Sequence, residues 1–217
     1  VMEHILFKIQ YPAEFHAQTA VEAAIKLHES VASKLEIIDK IVIRTQEPAI
    51  RIISKVGKLA NAADRDHCIQ YMVAVGLIFG DLIAEYYEDD FHQENQLIDK
   101  LRDKMIIEED NQFSMDYLDP EKRSIANAVQ VFFNDGTCSD DIQIEYPIGH
   151  KKRREEGIPL LEEKFWNNLN TCFDKDKSKL IYDLCLDQEK LEKTKVHEFM
   201  ELLSLIHISE PTRRCTI

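Results

Sequence analysis

The stretch that most constrains the fold is residues 65–79, RDHCIQYMVAVGLIF, a helical pattern apolar on nearly every side. Cys68, Ile69, Met72, Val73, Leu77 and Ile78 cover more of its circumference than a single buried face needs. A helix of that kind must be enclosed by other elements. It is the expected spine of a domain, with Asp64 as its N-cap. Its longest apolar run, residues 71–79, is too short to span a membrane.

The elements that enclose it are legible on both sides. Tyr11-Pro12 predicts an extended or turning entry, because proline disfavours helix in the residue before it. Behind that entry Ala20, Ala24, Leu27 and Val31 recur at helical spacing. The β-branched run Ile41, Val42, Ile43 predicts a strand. Pro48 fits the first turn of a short helix over 47–54. Helices are also expected over 81–87 and 95–105, and Ile106-Ile107 opens a possible strand. Residues 124–133 and 141–146 alternate as strands around Asn134-Asp135-Gly136, a hairpin turn signal. From Pro159 onward the spacing is helical again, over Leu160 to Leu169, 179–186 and 196–202. The residues therefore predict an α+β unit with an antiparallel sheet, then a helical segment beginning near Gly149.

Composition narrows the function. The chain has 217 residues and a net charge of −13, which argues against nucleic acid as the main partner. A hydrophobic content of 44% is that of a soluble globular protein, with no membrane partner. Five widely spaced cysteines without a C-x-x-C pair point to reduced thiols and a cytoplasmic setting. Asp89, Asp90 and His92 lack the spacing of a metal site. Trp166, at helical spacing with Leu169, is expected in a core.

Five stretches carry a resemblance: YPAEFHAQTAVEAA, RDHCIQYMVAVGLIFG, DYLDPEKRSIANAVQVFFNDG, EYPIGHKKRREEGIPLLEEKF and LCLDQEKLEKTKVHEFMEL. In this order they resemble the MmgE/PrpD family over nearly all of the chain to about Leu202. The resemblance implies a smaller, lid-like α+β domain over 1–147. It implies that 148–202 return to a large all-helical domain that is mostly missing. Residues 203–217 are read as a non-native tail, and the whole as a C-terminal piece expected to be inactive alone. The implied activity is cofactor-free dehydration of 2-methylcitrate, a small tricarboxylic acid, in the methylcitrate cycle of propionate breakdown. The implied full-length parent is a homodimer using no metal.

Such a dehydration requires a base, an acid, and cations or donors for the carboxylates. Three places supply them. Lys8, Tyr11 and His16 gather in the entry loop, with Lys8 and His16 as catalytic candidates and Tyr11 as a substrate contact. The plain alternative is a solvated lysine and a histidine capping the next helix. Arg65 and Tyr71 are substrate-binding candidates and His67 a catalytic one, the alternative being an Arg65–Asp66 surface pair. Around Gly149, His150 is a substrate-binding candidate beside Lys151 to Arg154, a basic run that reads first as a solvated face.

Two other readings stay open. One is a related family activity, cis-aconitate decarboxylation or an epimerisation. The other is a non-catalytic binding or dimerisation module.

Overall fold

The computed structural model describes residues 5–204. The chain divides after Gly157 into two compact units, later than the change of style near Gly149.

In the first unit the entry segment leads through a 3-10 turn, Phe15–Ala17, into α1 (Gln18–Val31). Strand β1 (Ile38–Thr45) follows, then α2 (Glu47–Ile53), α3 (Ala62–Asp66) and α4 (Ile69–Phe79). Next come α5 (Asp89–Glu94), α6 (Leu97–Arg102), β2 (Met105–Glu109) and α7 (Asn111–Leu118). The pair β3 (Asn127–Phe133) and β4 (Ile142–Ile144) completes the sheet.

The sheet order is β2-β1-β3-β4. Strand β3 runs antiparallel to β1, with Val42 opposite Gln130, and β4 antiparallel to β3, with Ala128 opposite Gln143. Strand β2 is parallel to β1, with Ile41 opposite Met105. The sheet is thus mixed within an α+β fold, because the long connection through α2 to α6 returns the chain in the direction of β1. Ile41 and Ile43 of β1 and Val129 and Val131 of β3 are fully buried, in one core with α1 and α4.

Helix α4 is the enclosed spine: every residue from Ile69 to Leu77 is buried. It packs on α1 at Gly76, where a Cβ would stand 3.0 Å from Ala24 Cβ. It ends at Gly80, whose φ of 68° is the left-handed conformation that favours glycine. The single helix expected over 65–79 is two. Cys68 is extended at φ −126°, and α3 ends at Asp66 with His67 as its C-cap. The cap of α3 is Asn61, whose side chain accepts the Asp64 N–H at 2.9 Å. Asp64, the expected cap, instead accepts from Ala60 N–H and from Lys55.

Residues 81–87 hold a 3-10 segment, Ala84–Tyr87, where a short helix was expected, and α6 is shorter than its spacing suggested. The Asn134-Asp135-Gly136 turn forms with Gly136 at φ 82°, and a Phe132–Cys138 bridge precedes β4. Helix α8 (Arg154–Cys172) starts before Pro159 and carries that proline inside it.

The second unit holds most of α8 with α9 (Lys175–Leu186), α10 (Gln188–Lys193) and α11 (Val196–Leu202). Phe165 and Trp166 pack on the Tyr182 ring at 5.9 and 5.4 Å, and Leu169, Ile181 and Leu184 are buried. The tail read as non-native falls outside the described residues from Leu205 onward. Among the described residues no helix is long and apolar enough to cross a membrane.

Candidate active site

His16 sits in the 3-10 turn that opens α1, and Glu14 caps that turn. The Glu14 carboxylate accepts the His16 backbone N–H at 2.8 Å and lies 2.9 and 3.0 Å from His16 Nδ1. A carboxylate only accepts, so Nδ1 carries the proton toward Glu14. The other ring nitrogen, Nε2, lies 3.2 Å from the Tyr117 hydroxyl on α7. Both side chains of the Glu14–His16 pair are mostly shielded, at 16% and 14% exposure. Burial pulls the Glu14 carboxyl upward, and the bonds and charge of His16 outweigh it and hold it below its ordinary value.

The backbone of this turn is pinned by the start of β3. Asn127 donates to His16 O and to Thr19 Oγ1, each at 2.7 Å, and Thr19 donates to Ile125 O at 2.6 Å. Gln18 ties the entry segment to α1 through Tyr11 O and Ala13 O. The imidazole is therefore presented by a loop fixed to helix and sheet, the arrangement that positions catalytic groups.

The other expected residues divide by environment. Lys8 lies on the same entry segment, its ammonium 5.2 Å from the Phe15 ring. Tyr11 is buried, and burial, then Glu22 and Asp81, push its phenol up to about 12. His67 is half exposed beside Asp66, and its charge helps lower the Glu14 carboxyl. His67 is thus within electrostatic reach of the His16 cluster.

Arg65 and Tyr71 are turned elsewhere. Arg65, 2% exposed, donates to Tyr87 O at 2.6 Å, pairs with Asp89, and lies 3.4 Å from His92 Nδ1. His92 continues the chain to Asp99 at 3.0 Å, and Asp99 to Arg102. Arg65 lines a cavity of about 520 Å3 with His92 and Asp99, whose lining does not include His16 or His67. Tyr71 is fully buried and donates to Tyr86 O at 2.7 Å. In this structure Arg65 and Tyr71 thus hold internal partners. His150 lines a separate cavity of about 470 Å3 and stacks on Tyr146 at 4.5 Å.

Glu14 and Tyr117 were not singled out by the sequence. Glu14 had a local signal, a carboxylate two residues before His16 at a turn cap. Tyr117 had none, since it lies 101 residues along the chain from His16. Among the described residues no group of three or more His, Cys, Asp or Glu is placed to hold a metal ion.

The MmgE/PrpD C-terminal domain model matches residues 11–188. The chain belongs to the MmgE/PrpD family. Its His16 turn, spine helix and basic run all fall inside the matched MmgE/PrpD segment. Over 205 residues the chain is 52% identical to a 2-methylcitrate dehydratase of Salmonella typhimurium, covering 93% of this chain and 42% of that protein. A 2-methylcitrate dehydratase of Cupriavidus necator is 52% identical over 208 residues, 94% of this chain and 43% of its own length. A probable 2-methylcitrate dehydratase of Saccharomyces cerevisiae is 55% identical over 183 residues, 83% of this chain and 35% of its own. The chain thus spans about two fifths of the length of the first two of these relatives.

Proposed function

We propose that this chain is part of a 2-methylcitrate dehydratase, a hydro-lyase that converts 2-methylcitrate to 2-methyl-cis-aconitate and water. The observation that carries the reading is its 52% identity to proteins of that name over 93% of the chain. In the reaction a base takes a proton from the carbon beside a carboxylate. The freed electron pair forms the C=C bond, the C–O bond breaks, and the hydroxyl leaves as water after gaining a proton.

His16 is the group proposed to move one of these protons. With Nδ1–H held by Glu14, its Nε2 is the nitrogen left to exchange a proton, and Tyr117 stands beside it. The Glu14 carboxylate stabilises the imidazolium formed when Nε2 is protonated. Lys8, on the same entry segment, is placed to attract the anionic acid, and His67 adds a second imidazole in electrostatic reach. Arg65 and Tyr71 are assigned to holding the loops around the spine helix.

The chemistry proposed needs no cofactor. Assembly as a homodimer and a place in propionate breakdown belong to the same proposal and rest on the family. A cytoplasmic setting draws support from the free thiols of Cys68, Cys138, Cys172 and Cys185.

The test is a chimera joining this chain to the upstream portion of the Escherichia coli relative, itself 52% identical over 205 residues. Its product is followed by the ultraviolet absorbance of the new conjugated double bond. The chimera is expected to dehydrate 2-methylcitrate, and His16→Ala to lower turnover about 10²–10⁴-fold while the protein stays folded. A parent chimera inert toward 2-methylcitrate, or full activity in the variant, overturns the reading.

A further inference from the structure

The turn between α7 and β3 carries an unusual backbone. Arg123 has φ 48°, and among the described residues no other non-glycine residue has a positive φ. That region costs energy for any residue with a Cβ. Asp119 O holds the turn by accepting the Arg123 N–H at 2.8 Å, and Asp116 O accepts the Ser124 N–H at 3.2 Å. Strain of this kind persists where the surroundings over-determine it, and it gathers at ligand sites. Arg123 lines a cavity of about 470 Å3 with Ile5, Leu6, Pro120, His150 and Lys151.

The cations next to these residues in the sequence are already engaged. Lys122 pairs with Asp116 at 2.7 Å, and Lys152 reaches the Tyr146 hydroxyl at 2.7 Å. Arg153 pairs with Glu22 and Glu156, and Arg154 donates to Ile5 O. Among the described residues Arg123 and Lys151 have no acidic partner at ion-pair distance. Two uncompensated cations on one cavity are notable in a protein of net charge −13.

The third polar group is His150, 3% exposed. Its Nδ1 accepts the Lys152 N–H at 3.2 Å, which leaves the ring proton on Nε2 as a donor. Burial, then the charges of Lys152, Lys151 and Arg154, push its pKa down to about 4, so the ring is neutral near neutrality. Ile5, Leu6 and Pro120 supply apolar wall, which suits an anion with a carbon skeleton better than a bare inorganic one.

The geometry points to a binding site for a carboxylate of a small organic di- or tricarboxylate, with Arg123 and Lys151 as its cations and His150 as a neutral donor. This deepens the dehydratase reading, on which the identity of the acid rests. An arginine here grips one carboxylate through its fork of N–H groups, and the lysine adds a point charge.

The experiment is calorimetric titration of the 217-residue chain with citrate, 2-methylcitrate and inorganic phosphate. Both organic acids are expected to bind at one site, and phosphate about tenfold or more weakly. Arg123→Gln is expected to weaken both acids about tenfold or more, the loss of a charge-assisted pair. Arg123→Gly is expected to lose the same affinity while melting at or above the parent temperature, because glycine accepts the left-handed backbone. The proposal is overturned if neither acid binds, if both variants bind as the parent does, or if phosphate binds as tightly as the acids. Acid binding that depends on Arg123, in a chain whose chimera does not dehydrate 2-methylcitrate, would keep this site and sink the dehydratase reading. A chimera that dehydrates with unchanged KM in both variants would sink this site alone.

Discussion

Replacing Glu14 by glutamine isolates the charge of the Glu14–His16 pair while keeping its shape. The carboxylate accepts three contacts from His16, at 2.8, 2.9 and 3.0 Å. Glutamine keeps one acceptor oxygen, so the change removes charge assistance and one acceptor but not all bonding. Hydrogen bonds to charged groups contribute about 1.5–3 kcal/mol, and the retained oxygen puts the expected loss near the lower end, about 1.5–2 kcal/mol. The pair is only 16% and 14% exposed, so solvent screening takes little of it. For a chain of this size that loss lowers the melting temperature by about 3–8 °C. The pH dependence has a fixed sign. His16 holds the folded carboxyl below its ordinary value against burial. Its contribution is therefore complete above the unfolded pKa, about 4.3, and disappears as pH falls through the lower folded value. Thermal melts followed by circular dichroism at about pH 7, 5 and 3 are the assay, with the parent–variant gap closing at the lowest pH. A gap within about 1 °C at neutral pH would show that the charge stabilises nothing here. A gap that persists unchanged in acid would make it a packing effect and refute the ion-pair account.

Two further predictions follow from the segment around His150. Because its folded pKa is pushed down from 6.5 to about 4, proton uptake favours the unfolded chain across that window. Stability from this group is complete above the upper value and falls as pH drops through the window, by about 3 kcal/mol in all. His150→Gln keeps an acceptor for the Lys152 N–H and should flatten the melting profile there; an unchanged profile contradicts the assignment. At Gly149 an added Cβ would stand 1.8 Å from Phe7 O and 2.7 Å from Phe7 C, backbone atoms that cannot yield. Gly149→Ala should cost about 3 kcal/mol or more in chemical denaturation, and a midpoint equal to the parent's would show that the close approach does not exist.

The parts of the fold written in local pattern were legible. Helix α4 announces itself because its apolar residues go all the way round, and α1 because Ala20, Ala24, Leu27 and Val31 keep one face. The strands β1, β3 and β4 and the glycine of the Asn134-Asp135-Gly136 turn follow from β-branched runs and from a required positive φ. The break between α3 and α4 has no such mark. No proline or glycine stands at His67 or Cys68, and Arg65 is instead drawn inward by Tyr87 O, 22 residues on. Helix α7 buries only Phe113, too little for a periodic signal, although Asp110 caps it. The parallel β1–β2 pairing depends on where a long crossover lands, which no local pattern states.

At the site the same division holds. The turn that carries His16 and the cationic character of the run after Gly149 were legible as local pattern. The internal partners of Arg65 and Tyr71 had no local mark in the sequence. Those partners are Tyr86 O, Tyr87 O and Asp89. Tyr117 and Arg123 became visible only when the α7–β3 turn was placed, since neither has a neighbour in sequence that explains it.

The role proposed for His16 requires that Glu14 fix its proton on Nδ1 and leave Nε2 bare. Long-range proton–nitrogen correlation NMR of the His16 ring at neutral pH reads that directly. A protonated Nδ1 and an unprotonated Nε2 are expected, with the preference weakened in Glu14→Gln. A ring protonated on Nε2 with a bare Nδ1 would contradict it.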